Sequence, residues 1–437
     1  MEEFLSNPTE LTAQNLLRAG PLTQILSAIS SNDDKISVLS HLSQLNHFNI
    51  INQIGIDSLI SLLNQVPLQK VILEHLKCIE FPIQDYSSLI HKLFAIFVSE
   101  PITESSLCKD ILVHKFSMQI SQLSYLNTLK DILNSSDSIL KVRGFELVIE
   151  LANTSDFSFY DNSGLIDTGI SMATGNDLLL RLVVIEVIAE LGNSEPGCKK
   201  LLGNNINNII QQAIEDDSDP HTRNKLIVLA GKIFHFTGNE NLMTNTFWSC
   251  LIRLLGSDDP ASVKNSLNVL EYISTRPNGI TKIFSNNQII GNWGRLQKSV
   301  NSSVKAHFYH SFYHILNLCT EDHINAYLRV NNIIQPMIDE LVNPFQNSHY
   351  DILKCIGLLV KWRNQAVNFL ANEKFKVFLF KRPPHQMHEI SYLKYDIVTE
   401  LNKHDLPQGT KNLLEKYLKA GVFAGESEME MELESLN

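Results

Sequence analysis

Paired carboxylates are the side chains of this sequence whose type and spacing most suggest a specific role. Glu146 and Glu150 lie four residues apart in "VRGFELVIELAN", and Glu186 and Glu190 repeat this spacing forty residues later in "LVVIEVIAELGN". Residues four apart share one face of a helix, where two like charges cost roughly a few tenths of a kcal/mol unless a cation compensates them. The two pairs therefore predict a cationic counterpart, either in a neighbouring segment or in a binding partner.

Three histidines form the second group with suggestive spacing. His307, His310 and His314 stand at i, i+3 and i+7 in "KAHFYHSFYHILNL", which places them on one face of a helix. Three imidazoles could bind zinc, but a structural zinc site normally has a fourth ligand, and the sequence indicates none. The interleaved Phe308 and Phe312 favour the alternative, a helix whose aromatic face packs in a core.

Sequence motifs of catalysis are otherwise missing. Cys198 follows a Pro-Gly break and precedes two lysines, a setting that can lower a thiol pKa, but no histidine base accompanies it, so a packed cysteine is the favoured interpretation. The chain has no phosphate-binding loop, no HExxH and no GxSxG motif. "KRPPHQMHE" from Lys381 is typical of an exposed loop. We therefore expect a protein that is not an enzyme and that needs no cofactor or metal.

Composition and charge narrow the class of partner. Of the 437 residues 44% are hydrophobic, the formal net charge is −11, and five of the acidic residues lie in the segment Gly425–Asn437. A mildly acidic body argues against nucleic acid and against an anionic membrane surface, and it favours a basic protein partner. No secretory signal or apolar run of membrane-spanning length occurs, and six cysteines lack CxxC spacing. These features predict reduced thiols and a location in the cytoplasm, with the nucleus as a second compartment.

An internal repeat supplies the elements that must position these residues. The block beginning "SSDSILKVRGFELVIELAN" aligns without a gap with "TGNDLLLRLVVIEVIAELGN" at an offset of forty. Looser copies open with an acidic or small cluster suited to helix capping and continue with helical apolar spacing. They are "SNDDKISVLSHLSQL", "DDSDPHTRNKLIVLAGKIFHF", "GSDDPASVKNSLNVLEYISTRPNG" and "QNSHYDILKCIGLLVKWRNQ". Helix, break and helix at this period predict an all-α armadillo or HEAT-type solenoid, with residues 1–420 as one domain and 421–437 as an acidic, disordered C-terminal tail.

The polar stripe on the repeated helix can now be interpreted. In armadillo repeats the long third helix lines a concave groove and usually presents a tryptophan and an asparagine to an extended peptide. On this alignment Glu146 and Glu186 take the tryptophan position, and Glu150 and Glu190 the asparagine position. The corresponding places further along the chain are occupied by Lys232, Asn268 and Lys354.

Two explanations of this stripe remain open. It could be a groove, acidic in its middle, that docks a folded or helical basic partner. Alternatively, the glutamates could pair between adjacent repeats with Arg143, Arg181 or Lys141.

Several of these blocks, in their order and spacing, resemble one known family. "KVRGFELVIELAN", "LLRLVVIEVIAEL", "DILKCIGLLVKWRNQAVNFL" and "YLKAGVF" are similar to segments of the 26S proteasome non-ATPase regulatory subunit 5 family, from roughly Leu129 to Phe423. The resemblance implies a helical-repeat assembly chaperone for the base of the proteasome regulatory particle. It also implies that the partners are base AAA-ATPase subunits and the base subunits associated with them. One ATPase subunit would be held by its C-terminal domain. Binding there would hinder premature docking on the core particle.

Two other functions remain as alternatives to the assembly chaperone. An armadillo-type adaptor in transport or cytoskeletal assembly would share the fold, although a nuclear import receptor would need the tryptophan and asparagine ladder. A metal-dependent enzyme would have to be built around His307. When free, the chain is expected to be a monomer.

Overall fold

The computed structural model describes residues 2–45, 48–81, 85–99, 102–121, 123–175, 177–203, 206–215, 219–343, 348–381 and 388–422. These residues form α-helices and three short 3₁₀ turns, and no strand occurs among them. By internal contacts the chain divides into two compact units, Met1–Leu191 and Gly192–Asn437. The predicted class, an all-α helical repeat, is confirmed.

The first unit contains thirteen helices within its described residues. In chain order they are α1 (Glu2–Ser6), α2 (Glu10–Arg18), α3 (Leu22–Ala28), α4 (Asn32–Ser43), α5 (Ile50–Leu63), α6 (Val66–Cys78), α7 (Ser87–Ser99), α8 (Ile102–Ile120), α9 (Leu123–Leu133), α10 (Ser138–Thr154), α11 (Phe157–Asn162), α12 (Leu165–Ser171) and α13 (Leu178–Leu191). A 3₁₀ turn, Met172–Thr174, follows α12.

The second unit continues the pattern over its described residues. Its helices are α14 (Glu195–Leu202), α15 (Ile206–Glu215), α16 (Pro220–Thr237), α17 (Asn245–Leu255), α18 (Pro260–Ser274), α19 (Pro277–Ser285), α20 (Asn287–Arg295), α21 (Ser302–Leu316), α22 (Glu321–Val330), α23 (Ile334–Leu341), α24 (His349–Leu359), α25 (Arg363–Leu370), α26 (Glu373–Phe380), α27 (His388–Leu401) and α28 (Gln408–Ala420). The 3₁₀ turns are Glu240–Leu242 and Leu296–Lys298.

Acidic and amide caps start the repeated helices where the sequence predicts them. Asp137 Oδ1 accepts hydrogen bonds from the backbone N–H groups of Ile139 and Leu140, at 2.8 and 3.4 Å, and so begins α10. Asp219 and Asp259 cap α16 and α18 in the same way, and a proline follows each of them at the first helical position. Because the first N–H groups of a helix lack partners within the helix, these side chains fix where each repeat begins.

Every repeat contributes one helix to a continuous layer within its unit. We call this the stacked layer; each of its helices packs against the next, in the order α4, α6, α8, α10 and α13 in the first unit and α16, α18, α21, α24 and α27 in the second. Its members include the helices predicted from the repeat. Shorter helices such as α12 and α20 cover the other side of the layer. The stacked layer thus carries every charged position that the sequence singles out.

Burial within α10 shows how one side of a layer helix is used. Phe145, Val148 and Ile149 are at most 1% exposed. A fully buried side chain of this size stabilises the fold by about 2 kcal/mol. Gly169 of α12 lets that helix approach so closely that a Cβ atom there would lie 1.9 Å from the Phe145 ring. Only a narrow stripe of α10 is therefore left for polar residues, as the helical periodicity predicts.

Side-chain hydrogen bonds tie neighbouring repeats together in the second unit. Asn224 of α16 donates to the Ser262 hydroxyl of α18 at 2.9 Å, and that hydroxyl donates to the Asp259 cap at 2.6 Å. Arg276 donates to the carbonyls of His235 and Phe236, both at 2.8 Å, near the C-terminal end of α16. Capping and inter-repeat contact are thus parts of one network.

Two predicted features fall outside the described residues. Most of the loop from Lys381, namely residues 382–387, and all of the acidic segment 425–437 are not described. Among the described residues, no helix combines the length and apolar character needed to cross a membrane.

Removing one cap should measurably weaken the second unit. We expect Asp259→Ala to lower the free energy of unfolding by about 1 kcal/mol, because the backbone N–H groups of Ala261 and Ser262 lose their acceptor. Hydrogen bonds from Ser262 lower the pKa of Asp259 below its ordinary 3.8. The cap's contribution should be complete above that value and should disappear as the pH falls below it.

Urea unfolding at neutral and acidic pH measures this effect. Asp258→Ala is the matched control, since it removes the same charge from an exposed neighbour with no described hydrogen bond. Equal losses in the two variants would contradict a capping role.

Candidate functional site

The glutamates of α10 meet a lysine of the preceding layer helix. Lys109 Nζ of α8 donates to Glu150 Oε1 at 2.6 Å and lies 3.7 Å from Glu146 Oε2. The lysine side chain is 19% exposed, whereas both glutamates are about twice as exposed. A single cation therefore serves two carboxylates, which removes the like-charge cost that their spacing imposes on an isolated helix.

The electrostatic setting of Lys109 keeps it charged. Burial lowers the pKa of this amine, but the hydrogen bond and charge of Glu150, with the charges of Glu146 and Asp110, raise it above its ordinary value overall. Its carboxylate partners remain half-accessible, so a group from solution can still reach their outer oxygens. Lys109 is thus held in an ion pair, while Glu146 and Glu150 remain partly exposed to solvent.

The identity of this cation corrects one sequence-based expectation. One of the two open explanations pairs the glutamates between adjacent repeats with Arg143, Arg181 or Lys141. Glu146 and Glu150 do pair with an adjacent helix, but their cation is Lys109. The reason is packing register: α8 lies beside α10, and its half-buried lysine is brought opposite both carboxylates. A lysine 41 residues before Glu150 is the signal that could have identified it in the sequence.

The second glutamate pair has the same register on α13. Glu186 is half-buried and Glu190 is exposed, as expected for a helix that repeats the pattern of α10 at an offset of forty. Both take part in interactions with neighbouring groups. The helices α10 and α13 pack against each other, so the stacked layer brings all four glutamates onto neighbouring helices.

Two further ion pairs extend this charged surface towards the N-terminus. Lys77 of α6 donates to Asp110 of α8 at 2.6 Å, and Lys70 lies 4.0 Å from Glu74 on α6 itself. Sequence reasoning missed these four residues because α6 and α8 lack the acidic opening that marks the other repeats. The consecutive layer helices α6, α8 and α10 are thus connected by charge as well as by apolar packing.

The three positions predicted in the second unit make different contacts. Lys232 donates to Asn193 Oδ1 at 2.5 Å, and Asn268 bonds the His307 ring through Oδ1 at 2.8 Å. Lys354 lies over the ring of Tyr350 at 4.0 Å from its centroid and over Tyr313 at 5.1 Å. Asn268 and Lys232 match Glu146 and Glu150 in distance from their N-cap positions. Lys354 does not, because the N-cap position of α24 is Ser348, only six residues before it. Asn268 contacts His307, and no described contact joins Lys232, Asn268 and Lys354 to one another.

The three histidines have protein partners. His310 Nδ1 lies 3.8 Å from Asp351 Oδ1, and its ring meets that of His314 edge to face. Burial, followed by the charge of His310, lowers the pKa of His307 and of His314. Among the described residues no group of three or more His, Cys, Asp or Glu side chains is arranged to hold a metal ion. Phe308 and Phe312 are buried between neighbouring aromatic rings, as the core interpretation predicts.

Cys198 is a packed thiol, as the favoured interpretation predicts. It is fully buried, its Sγ donates to the Gly192 carbonyl at 3.4 Å, and burial raises its pKa to about 12 despite the charge of Lys232. A thiol with this pKa is protonated at neutral pH and is a poor nucleophile.

An open groove of about 500 Å³ lies in the second unit beside α22 and α25. Its lining is rich in amides and includes Arg329; the lining residues are Asn325, Leu328, Arg329, Asn331, Asn332, Ile334, Gln365 and Asn368. The described lining residues include no histidine, cysteine or carboxylate.

Fold and site together define a class: an all-α helical-repeat protein with a charged stacked layer. The sequence profile of the family described as "Proteasome non-ATPase 26S subunit" matches residues 22–432. The chain belongs to this family. The resemblance drawn from the repeat blocks is confirmed, and the match begins well before Leu129.

Curated relatives carry one shared name. The chain is 23% identical over 331 residues to the 26S proteasome non-ATPase regulatory subunit 5 of Drosophila melanogaster, covering 70% of this chain and 64% of that protein. It is 26% identical over 169 residues to the protein of that name from Homo sapiens, covering 35% and 32%. The chain thus spans less than two thirds of the length of each of these relatives.

One solved structure supports the fold, and a second is reported beside it. An engineered protein superposes with a TM-score of 0.50 at 12% identity, over 87% of this chain and 99% of its own. A designed armadillo repeat protein reaches a TM-score of 0.45 at 12% identity, over 53% and 98%. At 12% identity, the superposition on the engineered protein shows a shared fold and nothing about function.

Neutralising Lys109 should destabilise the first unit through its carboxylate partners. We expect Lys109→Met to lower the free energy of unfolding by about 1 kcal/mol, because Glu146 and Glu150 are left four residues apart without their cation. In the double variant with Glu150→Gln the loss should shrink, since one repelling charge is gone.

A double-mutant cycle by urea unfolding measures the coupling. Lys130→Met on α9 is the control, as Lys130 is exposed and makes no described side-chain contact. Additive effects of the Lys109 and Glu150 changes would show that the pair contributes nothing to stability.

Proposed function

We propose that this chain is a non-catalytic assembly chaperone for the base of the proteasome regulatory particle. It binds the C-terminal domain of a base AAA-ATPase subunit, makes contact with associated base subunits, and hinders premature docking on the core particle. The observation that carries the proposal is membership of the proteasome non-ATPase 26S subunit family over residues 22–432. The shared name of the two curated relatives supports a proteasome-related role.

The site supports protein binding over catalysis. Its features are extended across several helices: half-exposed carboxylates on α10 and α13, with one cation between two of them. Such a surface suits a large partner that carries lysine and arginine, because many weak charge contacts can then act together. Residues 1–420 as one scaffold, 421–437 as a separate tail, and a cytoplasmic and nuclear location belong to the same proposal.

Salt dependence follows from this surface. The partner approaches an acidic edge that is open to solvent, so the attraction is screened as ionic strength rises. We expect the association rate to fall strongly between low and physiological salt while dissociation changes less.

The proposal is tested with the purified chain and the isolated C-terminal domain of each base ATPase subunit. We expect one domain to bind in surface plasmon resonance at low salt. We also expect addition of the chain to slow association of regulatory particle with core particle on native gels. If no ATPase domain binds, or if association with the core particle is unaffected, the proposed function is wrong.

Charge reversal tests the role of the glutamate stripe in that complex. Glu146→Lys with Glu186→Lys should weaken binding by roughly tenfold or more, because repulsion replaces attraction at two neighbouring helices. Thermal unfolding followed by circular dichroism confirms that the variant is folded, and Glu186→Lys alone avoids a new charge beside Lys109.

The control carries the same charge change elsewhere. Glu80 and Glu415 are exposed and make no described side-chain contact, so Glu80→Lys with Glu415→Lys should leave binding nearly unchanged. Equal loss in the two double variants would mean that overall charge, and not this stripe, governs the association.

A further inference from the structure

The open groove beside α22 and α25 is lined mainly by amide side chains. Five of its eight described lining residues are asparagine or glutamine, one is arginine and two are leucine or isoleucine. Two aliphatic side chains are too few to hold the apolar stripe of a helix. Each primary amide, by contrast, offers two N–H donors and one carbonyl acceptor. The lining therefore favours a polar occupant that has both acceptors and donors.

The segment between α22 and α23, which forms part of the groove, is held in place by the preceding helices. The Asn331 amide donates to the Ile290 carbonyl of α20 at 2.9 Å. Gly294 of α20 leaves the space for this side chain, since a Cβ atom there would lie 2.1 Å from it. The buried Gln297 donates to the Asn332 carbonyl at 3.1 Å. This part of the groove is thus ordered before a ligand binds, which lowers the entropic cost of binding.

The helix α25 contributes a buried amide whose hydrogen-bonding capacity is not used within the described protein. Gln365 is 5% exposed and lines the groove. Its Oε1 accepts from the Asn368 amide at 3.4 Å, while its Nε2 has no described acceptor. Buried polar groups normally have a hydrogen-bond partner, because leaving one without a partner is costly. This donor therefore marks a position for a ligand atom that accepts a hydrogen bond.

Arg329 supplies the positive charge of the groove. It lies in the last turn of α22, is exposed, and makes no described hydrogen bond or ion pair. Because the described lining includes no carboxylate, no lining residue neutralises its guanidinium. A guanidinium presents two parallel N–H groups to a carboxylate and bonds it more strongly than it bonds a neutral acceptor. The charge therefore selects an occupant that carries a carboxylate.

Free acceptors in the lining distinguish a peptide from a small anion. The Oδ1 atoms of Asn331 and Asn368 have no described donor, although the amide nitrogen of each donates within the protein. A peptide main chain carries one N–H donor and one carbonyl acceptor per residue, so it can use both kinds of group. A small anion would use the donors alone. The volume of about 500 Å³ lies in the range of ligand-binding clefts, and an open groove does not force a chain to end inside it.

We propose that this groove binds an extended peptide segment that carries an aspartate or glutamate side chain. Arg329 holds the carboxylate, and Gln365 Nε2 donates to a main-chain carbonyl. The Oδ1 atoms of Asn331 and Asn368 accept from main-chain N–H groups. The helices α22 and α25 are not members of the stacked layer, so the inference does not depend on the glutamate stripe or on the proposed function.

A blocked synthetic peptide tests the site on the full chain. The probe is Ser-Ala-Glu-Ala-Ser with a trifluoroacetyl group at its N-terminus and an amide at its C-terminus, so that glutamate is its only charge. Binding is measured at low salt by fluorine NMR line broadening. We expect saturable binding that becomes at least about tenfold weaker when glutamine replaces the glutamate. Because the chain has a net charge of −11, general charge attraction would not draw this peptide to it.

Two variants locate the binding in the groove. Arg329→Gln should weaken it by about tenfold or more, since the bond to the carboxylate is lost. Gln365→Met keeps a side chain of similar size but removes the buried donor, and should weaken binding roughly fivefold. Arg18→Gln is the matched control, because Arg18 is also exposed in the last turn of its helix without a described ion pair. Thermal unfolding followed by circular dichroism confirms that each variant is folded.

The outcomes are independent of the experiments on base ATPase domains. Binding that requires the glutamate, Arg329 and Gln365 supports the groove even if no ATPase domain binds. Equal binding of the glutamate and glutamine peptides, or an equal effect of Arg329→Gln and Arg18→Gln, overturns the inference. A loss in Arg329→Gln with none in Gln365→Met would show charge attraction without the amide groove, and would also overturn it. Competition by acetate at the concentration of the peptide would mean that only an anion is bound, which contradicts a peptide site.

Discussion

Burial of one helix per repeat against the next is the constraint on which the rest of this structure depends. A repeat of about forty residues cannot cover its own apolar face, so each layer helix must be enclosed by its neighbours in sequence and by the shorter helices behind them. Phe145 and Val148 of α10 are completely buried in this way. Only one narrow stripe of the helix stays outside this core. Because packing does not require apolar residues in the stripe, its side chains can be charged and can contact a partner.

The charged stripe has two roles that are compatible because of its partial exposure. Lys109 joins α8 to α10 through two carboxylates, which contributes to the packing of consecutive repeats. The same carboxylates keep about two fifths of their surface exposed, so they can also attract a cationic surface from solution. In the second unit Asn268 with His307, and His310 with Asp351, connect consecutive layer helices. The two units therefore offer different surfaces from one architecture.

Much of the fold could be predicted from the sequence, because caps and apolar periodicity are local signals. Asp137, Asp219 and Asp259 mark the starts of α10, α16 and α18, and the aromatic core beside the histidines follows from spacing alone. The partner of Glu146 and Glu150 could not be predicted so, since it depends on how α8 and α10 pack side by side.

The central claim is that the layer helices α8, α10 and α13 form the partner-binding surface of this family member. Hydrogen–deuterium exchange, with the full chain free and bound to a base ATPase C-terminal domain, tests it most directly. The account predicts slower exchange in peptides from Ile102–Ile120, Ser138–Thr154 and Leu178–Leu191, with α21 and α24 unchanged. Protection confined to the second unit, with these three helices exchanging as in the free chain, would contradict it.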